Sequence, residues 1–336
     1  MKLHRGIIEY TLATSMASTM FRRVLLAVLL APLVAVAQGY PNRPVVIVTP
    51  YPPGASTDNV ARLVQTELVA GLGQPVVVEH RSGAAGNVGS ASVAAAAPDG
   101  YRILLTTDAV MTLNSHFYKD MGFDPVRDLA PITTAVDAAI GIAVHPSLGV
   151  NSVPELIAYA RKNPRKLFFG TAGTGSPMHI AGELLNQRAK IELMHVPYKG
   201  GGPAMTDLVG GHIKMGIATL AALVPHAGRG TIKVIAIGEK RRVDIDPNIP
   251  TVAETLPGFE FSAWLAFFAP AGTPADIVKR LNAELVRALN VAEVKSKLRA
   301  LGMTVVGDRP EQLAERLKND IELRGKIVRD AAIKVQ

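Results

Sequence analysis

At 336 residues the chain is long enough for one large or two medium domains with a substantial apolar interior. It has no cysteine, a formal charge of +8 and only 5% aromatic residues. Disulfide frameworks and thiol nucleophiles are thereby excluded, and basic residues scattered without a Lys/Arg block argue against a nucleic-acid partner.

The amino terminus reads as an address. Met20-Phe-Arg-Arg23 precedes the apolar run Val24 to Val36, and Ala35-Val-Ala37 has the small-x-small pattern of a signal-peptidase site. Residues 1–37 are therefore expected to be a cleaved signal peptide, leaving a soluble chain from Gln38 in the periplasm. No Cys follows the cleavage site to carry a lipid, and the apolar run is short for a membrane span.

From there strand and helix patterns alternate. Val45 to Thr49 predicts a buried strand, and Val60, Leu63, Val64 and Leu68 mark one face of a helix closed by Gly71 and Gly73. A strand at 75–79, a helix from Asn87 through the alanine run to Ala97 and a strand from Arg102 to Thr107 follow. Three strands with two intervening helices imply a parallel sheet with right-handed crossovers, which binds ligands at the carboxyl ends of its strands. A second α/β set is expected from the capping box Ser152-Val-Pro-Glu155 onward. It has strands at 167–169, 192–196, 213–217 and 232–237, with helices at 177–187 and 203–209. Residues 259–268 read as a strand returning to the first set. The last third is helical, with Ile277, Leu281 and Leu285 on one stripe and Leu313, Leu317 and Ile321 on another.

Two strand-to-helix turns carry the chemistry. In Pro50-Tyr-Pro-Pro-Gly-Ala-Ser-Thr-Asp58, Gly54 permits backbone angles closed to other residues, and Ser56, Thr57 and Asp58 are helix-capping types. Ala55 keeps the loop small. The first helix amides then point outward, where they and the positive end of the helix dipole favour an anion. A capped turn with nothing bound fits the same residues equally well. Gly170-Thr-Ala-Gly-Thr-Gly-Ser176 repeats this physics before Pro177, with Thr171, Ala172, Gly173, Thr174 and Gly175 as candidates. His179 falls in the first turn of that helix, facing either a ligand or a neighbouring carbonyl. Tyr198 and Gly200-Gly-Gly202 form a third such turn, and Lys199 there is a solvated charge. Gly83-Ala-Ala-Gly86-Asn-Val-Gly89 lacks the lysine and the glycine order of a phosphate loop, and a helix start packed near a strand explains it better.

Catalytic signatures are missing. There is no His-x-His or His-Glu-x-x-His pair and no serine in a Gly-x-Ser-x-Gly elbow. Neither a metal, a cofactor nor a catalytic residue is expected. Binding without catalysis leads; a ligand sensor for a membrane signalling partner and a small-molecule enzyme on the same α/β plan are the alternatives.

Tyr40-Pro-Asn-Arg-Pro44, Gly73-Gln-Pro-Val-Val-Val-Glu79, Ala97-Pro-Asp-Gly-Tyr101, His195-Val-Pro-Tyr-Lys-Gly200, Pro250-Thr-Val-Ala-Glu254 and Phe268-Ala-Pro-Ala-Gly-Thr-Pro274 occur in an order and spacing that carry a resemblance. From about Tyr40 onward the chain resembles the periplasmic solute receptors of tripartite tricarboxylate transporters, the Bug-type binding proteins. The resemblance implies a two-domain, periplasmic-binding-protein-like α/β fold of type II, each domain a mainly parallel sheet flanked by helices, joined by a two-strand hinge. Domain 1 is expected at 38–137 plus 265–336 and domain 2 at 138–264. It further implies a monomer that closes on a small organic acid and passes it to a two-subunit membrane permease. The carboxylate is held by the loops at Gly54 to Asp58 and Thr171 to Gly175, with Thr107 and Asp108 at a third strand end. Pro53, Ala55 and Ser56 depart from the family's usual Pro-Phe-Pro-Ala-Gly-Gly-Ala-Thr-Asp. Ala218 and Thr219 stand where many relatives place Asp-Asn. With Tyr51, Tyr198 and Trp264 as aromatic walls, the site then favours a carboxylate without a free amine.

Overall fold

The structure is a computed structural model that describes residues 39–333; the expected leader at 1–37 lies outside them. Runs of β-branched residues form the strands and apolar stripes at helical spacing cover them. In the amino-terminal part β1 (Val45–Thr49), α1 (Ser56–Leu72), β2 (Val76–His80), α2 (Asn87–Ala94) and β3 (Arg102–Thr107) follow one another. Strands β2, β1 and β3 pair in parallel, as two right-handed crossovers require. Two short helices, α3 (Asp108–Thr112) and α4 (Asn114–Phe117), lead to the long β4 (Leu129–Ala138).

One residue after β4 ends, β5 (Ile140–Val144) begins in a different sheet. The second layer continues with α5 (Val153–Lys162), β6 (Phe168–Thr171), α6 (Pro177–Ala189), β7 (Met194–Pro197), α7 (Gly201–Val209), β8 (Met215–Thr219), α8 (Leu220–Ala227) and β9 (Lys233–Ile237). The chain returns through β10 (Ala263–Pro270), α9 (Ala275–Leu289), α10 (Ala292–Ala300), β11 (Met303–Val305) and α11 (Pro310–Asp330). The first sheet is ordered β11-β4-β10-β3-β1-β2 and the second β7-β6-β8-β5-β9.

Both sheets are mixed, and this corrects the expectation of mainly parallel ones. β10 is antiparallel to β3 and β4, and β5 is antiparallel to β8 and β9. The strands that carry the chain between sheets enter each one in reverse, which no βαβ crossover does. Core prediction needs one smaller correction: Leu281 and Leu285 are fully buried in α9, but Val278 takes the third inward position and Ile277 is only half-buried.

Where the chain passes between sheets the backbone is tied closely. The Gly238 amide donates to the Ile140 carbonyl and the Phe261 amide to the Gly238 carbonyl, each at 2.8 Å. Beside them lies Glu239, 9% exposed, whose Oε1 accepts from the Ile140 amide. Its Oε2 has no protein partner among the described residues. Burial pushes this carboxyl up to about 8, so it is largely protonated at neutral pH.

Helix α11 spans both apolar clusters. Leu313 and Leu317 pack with the interior of the first sheet, and Ile327 and Val328 with that of the second. Between them Arg324, 2% exposed, donates to the Asp108 carboxylate, to the Thr112 hydroxyl at 3.2 Å and to the Ser262 carbonyl at 2.9 Å. Its guanidinium lies 4.8 Å from the Phe261 ring centroid. Removing one partner of such a buried pair leaves the other charge uncompensated. Arg324→Ala is therefore expected to lower unfolding stability by about 3–5 kcal/mol, measured by urea denaturation, with Asp108→Asn in the same chain restoring part of the loss. A change under about 1 kcal/mol would show that the pair is solvated in practice.

Candidate functional site

The first loop leaves β1 and opens α1. Gly54 takes a left-handed φ of 83°, as its residue type suggested. Its amide does not face outward, however: it donates to Asp58 Oδ2 at 2.8 Å. Asp58 Oδ1 lies 2.8 Å from both His80 Nε2 and Arg62 Nε. Burial pushes the Asp58 carboxyl up, but the combined pull of the Gly54 amide, His80 and Arg62 holds it below its ordinary value. Asp58 thus braces the loop from inside. The N-cap position is Ala55, which offers no side-chain cap, so the capping expected of Ser56 and Thr57 does not occur. The Ser56 and Thr57 amides have no protein acceptor among the described residues, and the buried Thr57 hydroxyl is likewise unpartnered.

The second loop leaves β6 and opens α6. Gly173 and Gly175 have φ of 146° and 76°. Ser176 caps the helix by accepting from the His179 amide at 3.3 Å. His179 is buried, and its Nδ1 accepts the Gly175 amide at 3.1 Å. Its Nε2 lies 3.6 Å from Glu183 Oε1. Its ring stacks on His195, with centroids 3.6 Å apart and planes inclined by 13°. His195 Nε2 lies 2.7 Å from the Thr171 hydroxyl, which also accepts from the Gly173 amide at 3.3 Å. Burial first, and then the neighbouring His179, push the His195 ring down to about 4. The exposed Thr174 amide has no protein acceptor among the described residues.

Other candidates divide. Tyr51 and Thr107 are brought together, their hydroxyls 3.1 Å apart, and burial raises the Tyr51 phenol. Tyr198 docks on the second loop, its amide donating to the Thr171 carbonyl at 3.1 Å. Its hydroxyl donates to Asp207 at 2.6 Å, and burial together with that carboxylate pushes it up to about 12. Ala172, Ala218 and Thr219 line one cavity at the carboxyl ends of β6 and β8. Asp108 and Trp264 do not fit as ligand contacts. The Asp108 carboxylate is committed to Arg324. Trp264 is fully buried in the core of the first sheet, and its indole N–H donates to Asp320 at 2.6 Å. A wall residue was expected there, but a strand paired on both edges, like β10, presents its large side chains to the core.

Several residues carry site geometry without a sequence expectation. The Ala85 carbonyl accepts from Tyr51 at 3.4 Å and from Asn114 Nδ2 at 3.2 Å. Asn114 also donates to Asn87 Oδ1 at 2.6 Å, leaving the buried Asn87 Nδ2 without a partner among the described residues. Ala84 and Ala85 both have left-handed φ, 45° and 51°, a strain of the kind that gathers at ligand sites. The only sequence signal was the glycine-rich run around them. His80 and His195 are also unassigned by pattern, although His195 opens one of the quoted motifs.

Two strand-to-helix loops with unpaired amides, each buttressed from behind by buried side chains, can hold an anion. Among the described residues no cluster of His, Asp and Glu could hold a metal. A two-lobed α/β fold with such loops is the arrangement of a solute-binding protein. The chain belongs to the tripartite tricarboxylate transporter family of receptors, whose pattern it matches over residues 60–333. It is 33% identical over 302 residues to the protein BugT of Bordetella pertussis, covering 89% of this chain and 93% of that one. A Rhodopseudomonas palustris protein solved with adipate shares 34% identity at a TM-score of 0.73, covering 88% of this chain and 99% of that one. Another from the same organism, solved with malate, shares 31% at a TM-score of 0.69 over 86% of this chain and all of that one. Family and neighbours are periplasmic solute-binding receptors and not enzymes.

The histidine stack sets a testable titration. With its ring pushed down to about 4, His195 binds its proton more readily in the unfolded chain, where the ordinary value is about 6.5. Its contribution to stability is therefore present above pH of about 6.5 and is lost as pH falls toward about 4. In an NMR titration the His195 ring is expected to stay neutral down to about pH 5. A midpoint near 6.5 would mean that the stack is open to water.

Proposed function

We propose that the protein captures a small organic carboxylate in a cleft between its two lobes and delivers it to a two-subunit membrane permease, acting as a monomer in the periplasm after cleavage of residues 1–37. The observation that carries this reading is the pair of strand-to-helix loops with unpaired amides at Ser56, Thr57 and Thr174. A carboxylate there gains charge-assisted hydrogen bonds from donors that have no other protein acceptor, and the α1 dipole adds to the attraction. Two relatives solved with adipate and malate support the ligand class. Closure would turn one lobe, 38–137 plus 265–336, against the other, 138–264. The tied crossovers at Ile140, Gly238 and Phe261 serve as the hinge.

Ligands with an ammonium group fit poorly. The Ala218 and Thr219 positions offer no carboxylate, and the nearby Asp207 is occupied by Tyr198. An unpaired buried ammonium would cost several kcal/mol. In a thermal-shift panel, carboxylates lacking an amine are expected to stabilise the protein, by about 2.7 kcal/mol for a ligand at about 100 times its Kd. The matching amino acids should have little effect. Strong stabilisation by amino acids with none by their deaminated counterparts would overturn the assignment.

A further inference from the structure

Beside the second anion loop lies a cavity of about 100 Å³ whose wall is almost wholly apolar. It is lined by Ala172 from the loop itself, Met178 from α6, Ala204 and Leu208 from α7, Ala218 from β8 and Ala222 from α8. Its origin is a pair of glycines. Gly170 and Gly216 are register partners on β6 and β8, and both border the cavity. A Cβ on Gly216 would come within 2.8 Å of a Leu208 methyl, and one on Gly170 within 2.3 Å of Ile213 Cδ1. Bare strands at this point let α7 lie close over the sheet, so that small side chains enclose a narrow space. The space opens at the carboxyl ends of β6 and β8, where the loop that carries the unpaired Thr174 amide begins.

Resting on the carboxylate reading of this site, we infer that the cavity is the subsite for an apolar tail, and that the preferred ligand is a monocarboxylate with a branched aliphatic end of about three to five carbons. A charged second terminus is disfavoured because Thr219 carries the one hydroxyl among the lining side chains, and a single hydroxyl does not compensate a buried carboxylate. Size limits the tail. An apolar cavity of about 150 Å³ takes a benzene ring, so this smaller one suits an isobutyl group. Small-residue walls also explain how such a tail is admitted at all: a larger residue at Ala204, Ala218 or Ala222 would occupy the space.

Titration calorimetry with three probes tests the inference: propionate, which has the carboxylate alone; succinate, with a charged far end; and 4-methylpentanoate, with the apolar tail. From the burial of about four carbons, 4-methylpentanoate is expected to bind at least about tenfold tighter than either of the others. Ala222→Leu, at an exposed position of the cavity mouth, should erase that preference while leaving propionate binding in place. Ala218→Leu provides a second filling variant from the opposite wall. If the three acids bind alike, or succinate binds tightest and neither variant changes the order, the subsite assignment is wrong although the receptor reading stands. If none of the three binds, both are wrong.

Discussion

The ion pair between Arg324 and Asp108 joins distant parts of the chain at a point where both charges are buried. Arg324 sits near the end of the last helix; Asp108 begins the turn after β3; Ser262, which also accepts from Arg324, lies on the return between sheets. Two charges taken out of water this completely need further polar partners, and here Thr112, Ser262 and the Phe261 face add to the pair. Asp320 extends the network to the indole of Trp264 at the centre of the first core. The pair therefore sets where α11 crosses, and α11 is the helix that contributes to both cores.

The site is built on the opposite principle. Its buried ionisable side chains brace backbone. Asp58 holds Gly54, His179 holds Gly175, and His195 holds Thr171. What remains to meet an anion is a small number of amides at the start of α1 and in the loop before α6. Such donors carry partial charge only and need no counter-ion, so they leave little electrostatic cost when the site is unliganded. They also confer little selectivity beyond the carboxylate itself. Discrimination must come from the walls, and in the second lobe those walls are apolar and small.

How far the fold was legible follows from interaction range. The strand at Arg102 to Thr107, the helix from Pro177 and the left-handed glycines at 54 and 175 depend on residues next to each other, and pattern alone placed them. The antiparallel entry of β5 and β10 was not legible, because nothing local distinguishes a strand that changes sheets from one that stays. The same limit explains the misreading of Trp264: an aromatic in an apolar run fits a cleft wall as well as a core, and only pairing with β3 and β4 decides. Asp108 finds its partner 216 residues away, and Asn87 meets Asn114 across 27. Such contacts leave no periodic trace. Even at the loops, composition showed that amides would be available but not which ones, since Asp58 and His179 each claim a donor that looked free.

The central claim is that backbone amides at the start of α1 and in the loop before α6 bind the carboxylate, and amide NMR of the ¹⁵N-labelled protein tests it directly. Titration with a carboxylate that binds is expected to move the Ser56, Thr57 and Thr174 amide protons downfield together, with one dissociation constant, while the corresponding uncharged carboxamide leaves them in place. Shifts confined to other surfaces, or an equal response to the uncharged amide, would contradict the account.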